Sequence, residues 1–325
     1  MRINKNQLLF LFTGIFVGFL VSLFLNSPSG NSHAHTEMRK NQGGTLTNPL
    51  LDCDFNQDTG EFGLSKLKGN LNDLISQQIS NKQVDYVSVY FRDLNNGPWM
   101  GINEKELFSP ASLVKVPVMI AYFKEAETNP DLLQKKLKLS DAPIEDNQNI
   151  DPEVTILPNQ EYTVDDLITR MIVYSDNEAY DILSDNIDFQ KIINIYSLLG
   201  IDLSLAQNDP AGNIISVKNY ASFYRILFNS SFLNQEMSEK ALSLLTQTKY
   251  RDALRAGVPG NITVAHKFGE RQYLPSTEKQ LHDCGIVYYP GKPYLLCIMT
   301  RGYNFTKLAN TIKEISAATY SSINQ

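Results

Sequence analysis

Strand-like patterns lie at both ends of this sequence, and helical patterns fill its middle. Apolar and polar residues alternate, or apolar runs of strand length occur, at 86–108, 262–270, 282–289 and 293–301. Apolar residues recur with helical spacing at 112–127, 164–183, 188–199, 216–228, 236–247 and 303–320. This order predicts an antiparallel sheet built from both chain ends, a helical lobe inserted between them, and a cleft where the two lobes meet.

An uncharged apolar run, LLFLFTGIFVGFLVSLFL at residues 8–25, is long enough to cross a bilayer as a helix. Arg2 and Lys5 precede it, and no further basic residue follows until Arg39. The positive-inside rule then places the N-terminus in the cytoplasm and the rest of the chain outside. We interpret the run as an uncleaved anchor in the cytoplasmic membrane; a cleaved signal peptide is the alternative.

The segment after this run is rich in Ser, Asn, Gly and Thr, which is typical of a spacer. We therefore predict the following organisation: a cytoplasmic tail at 1–7, a transmembrane anchor at 8–25, a flexible linker at 26–62 and a catalytic domain at 63–325. Within this domain the α/β lobe comprises 63–111 and 261–325, and the helical lobe comprises 112–260.

The net charge and the positions of possible metal-binding residues limit which partners and cofactors we expect. The formal net charge is -6 with no basic stripe, so we expect no nucleic-acid partner. His33 and His35 have no further metal ligand nearby, and we interpret them as part of a solvated tether. No cofactor or metal is expected.

Cys284 and Cys297 lie in two adjacent strand-like runs separated by Pro290-Gly291. If those two residues form the turn, the cysteines face each other across a hairpin. The sequence leaves two readings open, a cross-strand disulfide or a pair of free thiols, and we expect the thiols.

Ser112 and Lys115 are three residues apart at the start of an apolar helical run, so their side chains share one face. A serine hydroxyl becomes a good nucleophile when a base takes its proton, and a lysine acts as that base when apolar surroundings lower its pKa. The same SxxK spacing also occurs at Ser65 and Ser276, without apolar surroundings, and spacing therefore does not select Ser112.

Two further motifs follow in order. Ser175-Asp176-Asn177 interrupts a buried helical region, whereas a second Ser-Asp-Asn at 184–186 resembles a helix end. Lys267-Phe268-Gly269 lies in a strand that is otherwise apolar, where a lysine is unusual and Gly269 allows close approach by a ligand or another backbone.

This series of SxxK, SDN and K-x-G on helix, helix and strand resembles the signature of the penicillin-recognising serine enzymes, which include class A β-lactamases and penicillin-binding proteins. The resemblance covers residues 65–322 and is strongest to the class A branch in SPASLVKVPV and YTVDDLITRMIVYSDNEAYDIL. It implies an α+β fold, with a five-stranded antiparallel sheet flanked by helices beside an all-helical lobe.

The resemblance also implies roles for individual residues. Ser112 would be the acylated nucleophile, with Lys115 as its base and Ser175 as the proton donor to the leaving nitrogen. Asn177 would hold the substrate amide, and Lys267 would supply positive charge beside Ser175. The backbone N–H groups of Ser112 and Glu270 would form the oxyanion hole, with Gly269 beside them in the substrate site.

The sequence also departs from the class A pattern. It lacks the ExxLN motif whose glutamate hydrolyses the acyl-enzyme, and the connection at 200–216 contains only Asp202 and Asp209 as carboxylates. Phe268 replaces the hydroxyl residue of K-[TS]-G, and Cys284 stands where an arginine is expected, with Arg271 or Arg301 as substitutes.

These features predict a membrane-anchored, extracytoplasmic serine hydrolase of the class A β-lactamase type that is acylated at Ser112 by β-lactam amides, with slow or unconventional deacylation. A DD-peptidase-like penicillin-binding protein that acts on peptidoglycan stem peptides is one alternative. A sensor module for cell wall or antibiotic that kept the fold without the chemistry is another.

Overall fold

The computed structural model describes residues 38–39, 44–48, 50–52, 61–95, 97–138, 153–154, 156–157, 159–204, 209, 212–272 and 277–323 of the 325-residue chain. Within these ranges no helix combines the length and the apolar character needed to cross a membrane. The run at 8–25 that we interpret as an anchor lies outside the described residues.

Strands are numbered in chain order: β1 Met38–Arg39, β2 Leu50–Asp52, β3 Tyr86–Asp93, β4 Trp99–Ile102, β5 Leu107–Phe108, β6 Lys136–Lys138, β7 Glu161–Thr163, β8 Ile215–Ser216, β9 Val264–Gln272, β10 Lys279–Val287 and β11 Tyr294–Gly302. The helices are α1 Glu61–Ser80, α2 Lys115–Ala126, α3 Val164–Thr169, α4 Asn177–Asp185, α5 Phe189–Leu198, α6 Val217–Phe228, α7 Gln235–Thr246 and α8 Phe305–Ile323.

The main sheet has five antiparallel strands in the order β4-β3-β11-β10-β9. Two of these strands come from the first half of the chain and three from its end, which confirms the predicted sheet built from both chain ends. The β10–β11 hairpin turns near Gly291, whose φ of 73° is accessible to glycine without steric cost.

The sheet is buried on both faces. One face packs against α1 and α8, with Leu71 and Ile312 fully buried there, and the other packs against the helical lobe. The central helix of that lobe, α2, buries nearly every residue from Lys115 to Phe123, as its all-round apolar pattern predicts.

A disulfide joins Cys284 of β10 to Cys297 of β11, and the expectation of two free thiols is therefore wrong. The register pairs the two residues directly and brings their Cα atoms to 4.0 Å. Both side chains are fully buried. Because directly paired residues point to the same face of the sheet, the two sulfur atoms face each other across the hairpin.

Residues 44–48, within the segment predicted to be a flexible linker, are bound to the domain. The carboxylate of Glu239 on α7 accepts hydrogen bonds from Leu46 N at 2.7 Å and Thr47 N at 3.0 Å. The hydroxyl of Tyr288 donates to Leu46 O at 3.0 Å. Thr47 is 3% exposed, so this short stretch is part of the folded surface.

Candidate active site

Ser112 lies in a 3-10 turn, Ala111–Val114, that leads directly into α2. Ala111 has a φ of 47°, an unusual conformation for a residue with a side chain, and it immediately precedes the nucleophile candidate. Tyr220 Oη donates to Leu113 O at 3.1 Å and ties the turn to α6. The turn therefore presents Ser112 from a fixed backbone, while Lys115 begins the buried helix behind it.

The Ser-Asp-Asn motif forms a break between two helices. The sequence predicts one helix over 164–183, but α3 continues as a π-helical turn, Arg170–Tyr174, and ends at Ser175, whose φ is 60°. Asp176 then caps α4 by accepting a hydrogen bond from Ala179 N at 3.0 Å. The second Ser-Asp-Asn lies at the C-terminal end of α4, as predicted.

Lys115 Nζ lies within hydrogen-bonding distance of four oxygens. It is 2.5 Å from Ser175 O and 2.6 Å from Asn177 Oδ1, and 3.2 Å from both Ser112 Oγ and Ser175 Oγ. An ammonium group has three hydrogens to donate and a neutral amine two. The two shortest contacts are to oxygens that only accept, so Lys115 donates to Ser175 O and Asn177 Oδ1, and both serine hydroxyls also lie within reach of its Nζ.

Lys267 lies on the opposite side of Ser175. Its Nζ donates to Ser175 Oγ at 2.8 Å and to Phe268 O at 2.9 Å, and the side chain is fully buried. Burial lowers the pKa of Lys267 most strongly and the charge of Lys115 lowers it further, whereas Asp283 raises it. Ser175 Oγ thus bridges two buried lysines.

Gly269 packs β9 against the nucleophile turn. A Cβ at this position would lie 3.0 Å from Pro110 O and 3.1 Å from Leu113 N. The close approach that the sequence predicts at Gly269 is therefore made by this chain's own backbone. Glu270 follows Gly269 on β9, an edge strand of the sheet, and is partly buried.

Phe268, which replaces the hydroxyl residue of the family motif, points to the other face of the sheet. Its ring stacks on Tyr250 with centroids 4.1 Å apart, and Lys267 Nζ lies 4.3 Å from the same ring. No hydroxyl is available at this position for a substrate carboxylate.

The two candidate substitutes for the missing arginine differ in their surroundings. Arg301 forms an ion pair with Glu106 at 2.8 Å and lies over the ring of Phe108 at 4.4 Å. Arg271 lies on the face of β9 that carries Lys267, and its Nη1 donates to Ser109 Oγ at 2.9 Å. Of these two arginines, Arg271 therefore contacts the segment that leads into the nucleophile turn.

Of the two carboxylates in the connection between α5 and α6, Asp202 is exposed. It accepts a hydrogen bond from Ser204 N at 2.8 Å, and its pKa is lowered by the hydrogen bonds from Ser204. Asp209 is partly buried and begins a turn in which Gly212 N donates to Asp209 O at 2.8 Å. Asp202 therefore serves a surface turn, and Asp209 belongs to a second turn of the same connection.

Sequence reasoning missed a buried pair on the other side of the sheet. His266 Nδ1 lies 2.9 Å from Asp283 Oδ1, and both side chains are almost completely buried. The signal was an ionisable residue within each of two apolar strands, but the contact between these residues depends on the strand register. Among the described residues, no cluster of three His, Cys, Asp or Glu side chains is placed to hold a metal ion.

Comparisons with known proteins agree with this architecture. Residues 66–323 match the sequence profile described as "Beta-lactamase enzyme family". A β-lactamase of Streptomyces albus G is 24% identical over 230 residues, which cover 66% of this chain and 72% of that protein.

Solved structures also share the fold. PBP-A has a TM-score of 0.64 at 22% identity and covers 80% of this chain and 97% of its own. The extended-spectrum β-lactamase TLA-3 has a TM-score of 0.68 at 19% identity, covering 79% and 99%. A class A β-lactamase from Mycobacterium abscessus has a TM-score of 0.63 at 20% identity, covering 78% and 100%.

Proposed function

The chain belongs to the β-lactamase enzyme family, and we propose that it is a class A-like serine hydrolase that is acylated at Ser112 by β-lactam amides and releases the acyl group slowly. The observation that carries this proposal is the unbroken polar path from Ser112 Oγ through Lys115 Nζ and Ser175 Oγ to Lys267 Nζ, in which the successive contacts measure 3.2, 3.2 and 2.8 Å.

Each step of acylation has a group within reach. Lys115 is the base that takes the proton of Ser112 while Oγ bonds to the lactam carbonyl carbon. The C–N bond then breaks as the nitrogen receives the proton of Ser175, and Ser175 regains a proton from Lys115. Lys267 Nζ donates a hydrogen bond to Ser175 Oγ at 2.8 Å and so stabilises the negative charge that develops on this oxygen as its proton leaves.

Slow release of the acyl group follows from the connection between α5 and α6. Hydrolysis of the ester needs a base that positions a water. The connection between α5 and α6 contains no glutamate. Asp202 accepts a hydrogen bond within a surface turn, and the side chain of Asp209 is shorter than that of glutamate. We therefore propose a long-lived ester on Ser112.

A DD-peptidase-like activity on peptidoglycan stem peptides is the second candidate. It uses the same acylation chemistry, and two observations favour it: the missing glutamate, and the fold shared with PBP-A, one variant of which was solved as an acyl-enzyme complex with penicillin G. A sensor module without catalysis is the third candidate, and the continuous proton path argues against it.

We also propose that the domain lies outside the cytoplasm, anchored in the cytoplasmic membrane by residues 8–25. The apolar run and its flanking charges support this location. The Cys284–Cys297 disulfide is consistent with it, because disulfides persist mainly in oxidising compartments.

Mass spectrometry of the intact protein mixed with penicillin tests the function. An adduct that forms on wild type and is absent from Ser112→Ala supports acylation, and its lifetime measures how fast the acyl group is released. Persistence for many minutes agrees with slow release, and turnover within seconds contradicts it. If no adduct forms on wild type, the non-catalytic sensor module is the candidate that remains.

A further inference from the structure

Gln280 is a fully buried polar residue on β10, and the acylation steps do not use it. Its Oε1 accepts a hydrogen bond from Ser109 N at 3.1 Å, and its Nε2 donates to Asn213 Oδ1 at 3.1 Å. Because a backbone N–H only donates, Oε1 of the carboxamide must face Ser109, and Nε2 then faces Asn213. Gln280 therefore joins the segment before the nucleophile turn to the connection between α5 and α6.

Ser109 is the residue on which several side chains converge. Its N–H donates to Gln280, its carbonyl oxygen lies 3.0 Å from Nε2 of His282, and its hydroxyl accepts a hydrogen bond from Nη1 of Arg271 at 2.9 Å. A carbonyl oxygen only accepts, so the His282 ring donates to it. Ser109 is itself fully buried. Side chains of β9 and β10 thus hold the N–H, the carbonyl and the hydroxyl of one residue, three positions before Ser112.

The two residues that separate this anchored serine from the nucleophile do not form a flexible link. Pro110 has its φ restricted by its ring, and its carbonyl accepts a hydrogen bond from Leu113 N at 2.9 Å. Ala111 has a φ of 47°, a conformation that persists where the surrounding structure holds it. A shift of Ser109 is therefore carried into the position of Ser112.

The connection between α5 and α6 is bound to the same segment. β5 pairs with β8 through Phe108 and Ile215, and Ile214 N donates to Phe108 O at 3.0 Å. The bond from Gln280 to Asn213 adds a contact one residue further along the connection. The end of the connection and the segment before the nucleophile therefore form one hydrogen-bonded unit, which Gln280 ties to β10.

We propose that Gln280 is a positioning residue for acylation: its carboxamide couples the end of the α5–α6 connection to Ser109 and so fixes Ser112 relative to Lys115. This inference rests on the proposed function, because acylation of Ser112 is the step that Gln280 governs. A nucleophile displaced by about 1 Å can lose about 10²-fold in rate. Removal of the carboxamide also leaves Ser109 N buried without this acceptor, which a loss of packing alone does not do.

Stopped-flow acylation by a chromogenic cephalosporin tests this role. Methionine is similar to glutamine in length and makes neither hydrogen bond. Gln280→Met should therefore lower the saturating acylation rate about tenfold or more, and it should leave the dissociation constant of the non-covalent complex within about twofold.

Gln78→Met is the matched control. Gln78 is also a buried glutamine, and its Nε2 donates to Glu314, between α1 and α8 on the other face of the sheet. This variant should lose stability and keep the acylation rate. An unchanged rate in Gln280→Met, or an equal loss of rate in the two variants, would overturn the proposal.

Hydrogen exchange measured by mass spectrometry tests the coupling without a substrate. In Gln280→Met the amides of 107–114 and of 212–216 should both exchange about fivefold faster or more, because each segment loses a bond to the same carboxamide. Faster exchange in one segment alone would contradict the coupling.

Asn213→Ala serves if Gln280→Met does not fold, because it keeps the bond from Ser109 to Gln280. Faster exchange in 107–114 then supports the coupling, and unchanged exchange in that segment overturns it. If wild type reacts with no β-lactam, the proposed function fails, while the exchange data still decide whether Gln280 couples the two segments.

Discussion

The hydrogen bond from Lys267 Nζ to Ser175 Oγ, 2.8 Å long, joins the last strand of the sheet to the helical lobe. Both side chains are almost completely buried. The two lobes thus meet at a contact that also belongs to the proposed proton path.

Replacement of Ser175 by alanine should slow acylation by a factor of about 10²–10⁴, because the leaving nitrogen loses its proton donor. Stopped-flow measurements with a chromogenic cephalosporin give this rate. Ser184→Ala, in the other Ser-Asp-Asn sequence, is the matched control and should keep the rate within about twofold. Equal losses in the two variants would contradict the assignment of Ser175.

Replacement of Lys115 by glutamine should reduce labelling by a fluorescent penicillin to a similar extent, about 10²–10⁴-fold, because glutamine cannot accept the proton of Ser112. The initial rate of labelling measures the effect. Lys68→Gln, in another SxxK pair, should label as wild type. Unchanged labelling of Lys115→Gln would show that another group is the base.

Gly269→Ala should lower the free energy of unfolding by about 1–3 kcal/mol, since the added methyl group overlaps the Pro110–Leu113 backbone. It should also slow acylation by displacing the nucleophile turn. Gly260→Ala is the control, because a Cβ there meets nothing within 4 Å. Urea denaturation compares the two, and equal stabilities would refute the close packing.

Loss of the Cys284–Cys297 bond should lower the free energy of unfolding by about 2–4 kcal/mol, as expected for a disulfide that closes a short loop. Denaturant unfolding of wild type and of the Cys284→Ala, Cys297→Ala double variant, in the absence and presence of a reductant, measures it. Reductant should lower the unfolding midpoint of wild type alone. A midpoint that reductant leaves unchanged would mean that the bond does not form in solution.

The free energy of unfolding should also fall at acidic pH because of the buried side chain of His282. This side chain is fully buried, and burial lowers its pKa from 6.5 to about 3. Below pH 6.5 the unfolded chain binds a proton that the folded chain does not, so stability is complete above that pH and is lost as the pH falls toward 3. Each unit of pKa shift corresponds to about 1.4 kcal/mol.

In His282→Gln this acid-dependent loss should become smaller. Thermal melts of wild type and variant between pH 7 and pH 4 measure the difference. His35, outside the described residues, offers a control substitution that should leave the slope unchanged. Equal slopes for wild type and His282→Gln would show that His282 does not titrate as its burial requires.

The order of strand and helix patterns was sufficient to predict the sheet and the inserted lobe. Each apolar pattern indicates which residues of its own segment face the core, and hence whether that segment is a strand or a helix. It indicated that Ser175-Asp176-Asn177 interrupts the helical region, but it could not predict the π-helical turn or the left-handed conformation of Ser175, since neither alters apolar spacing. The pairing of Asp283 with His266 arises from the alignment of β9 with β10, a relation between segments that periodicity does not contain.

The Cys284–Cys297 bond also fixes the pairing register of β10 against β11. Asp283 and Cys284 are consecutive, and a one-residue slip of β10 would turn every side chain of the strand to the opposite layer. The carboxylate would then enter the lobe that contains the lysines, and Cys284 would leave its partner. A covalent bond across the hairpin excludes that slipped pairing, and it thereby fixes the side of the sheet on which the Asp283 side chain lies.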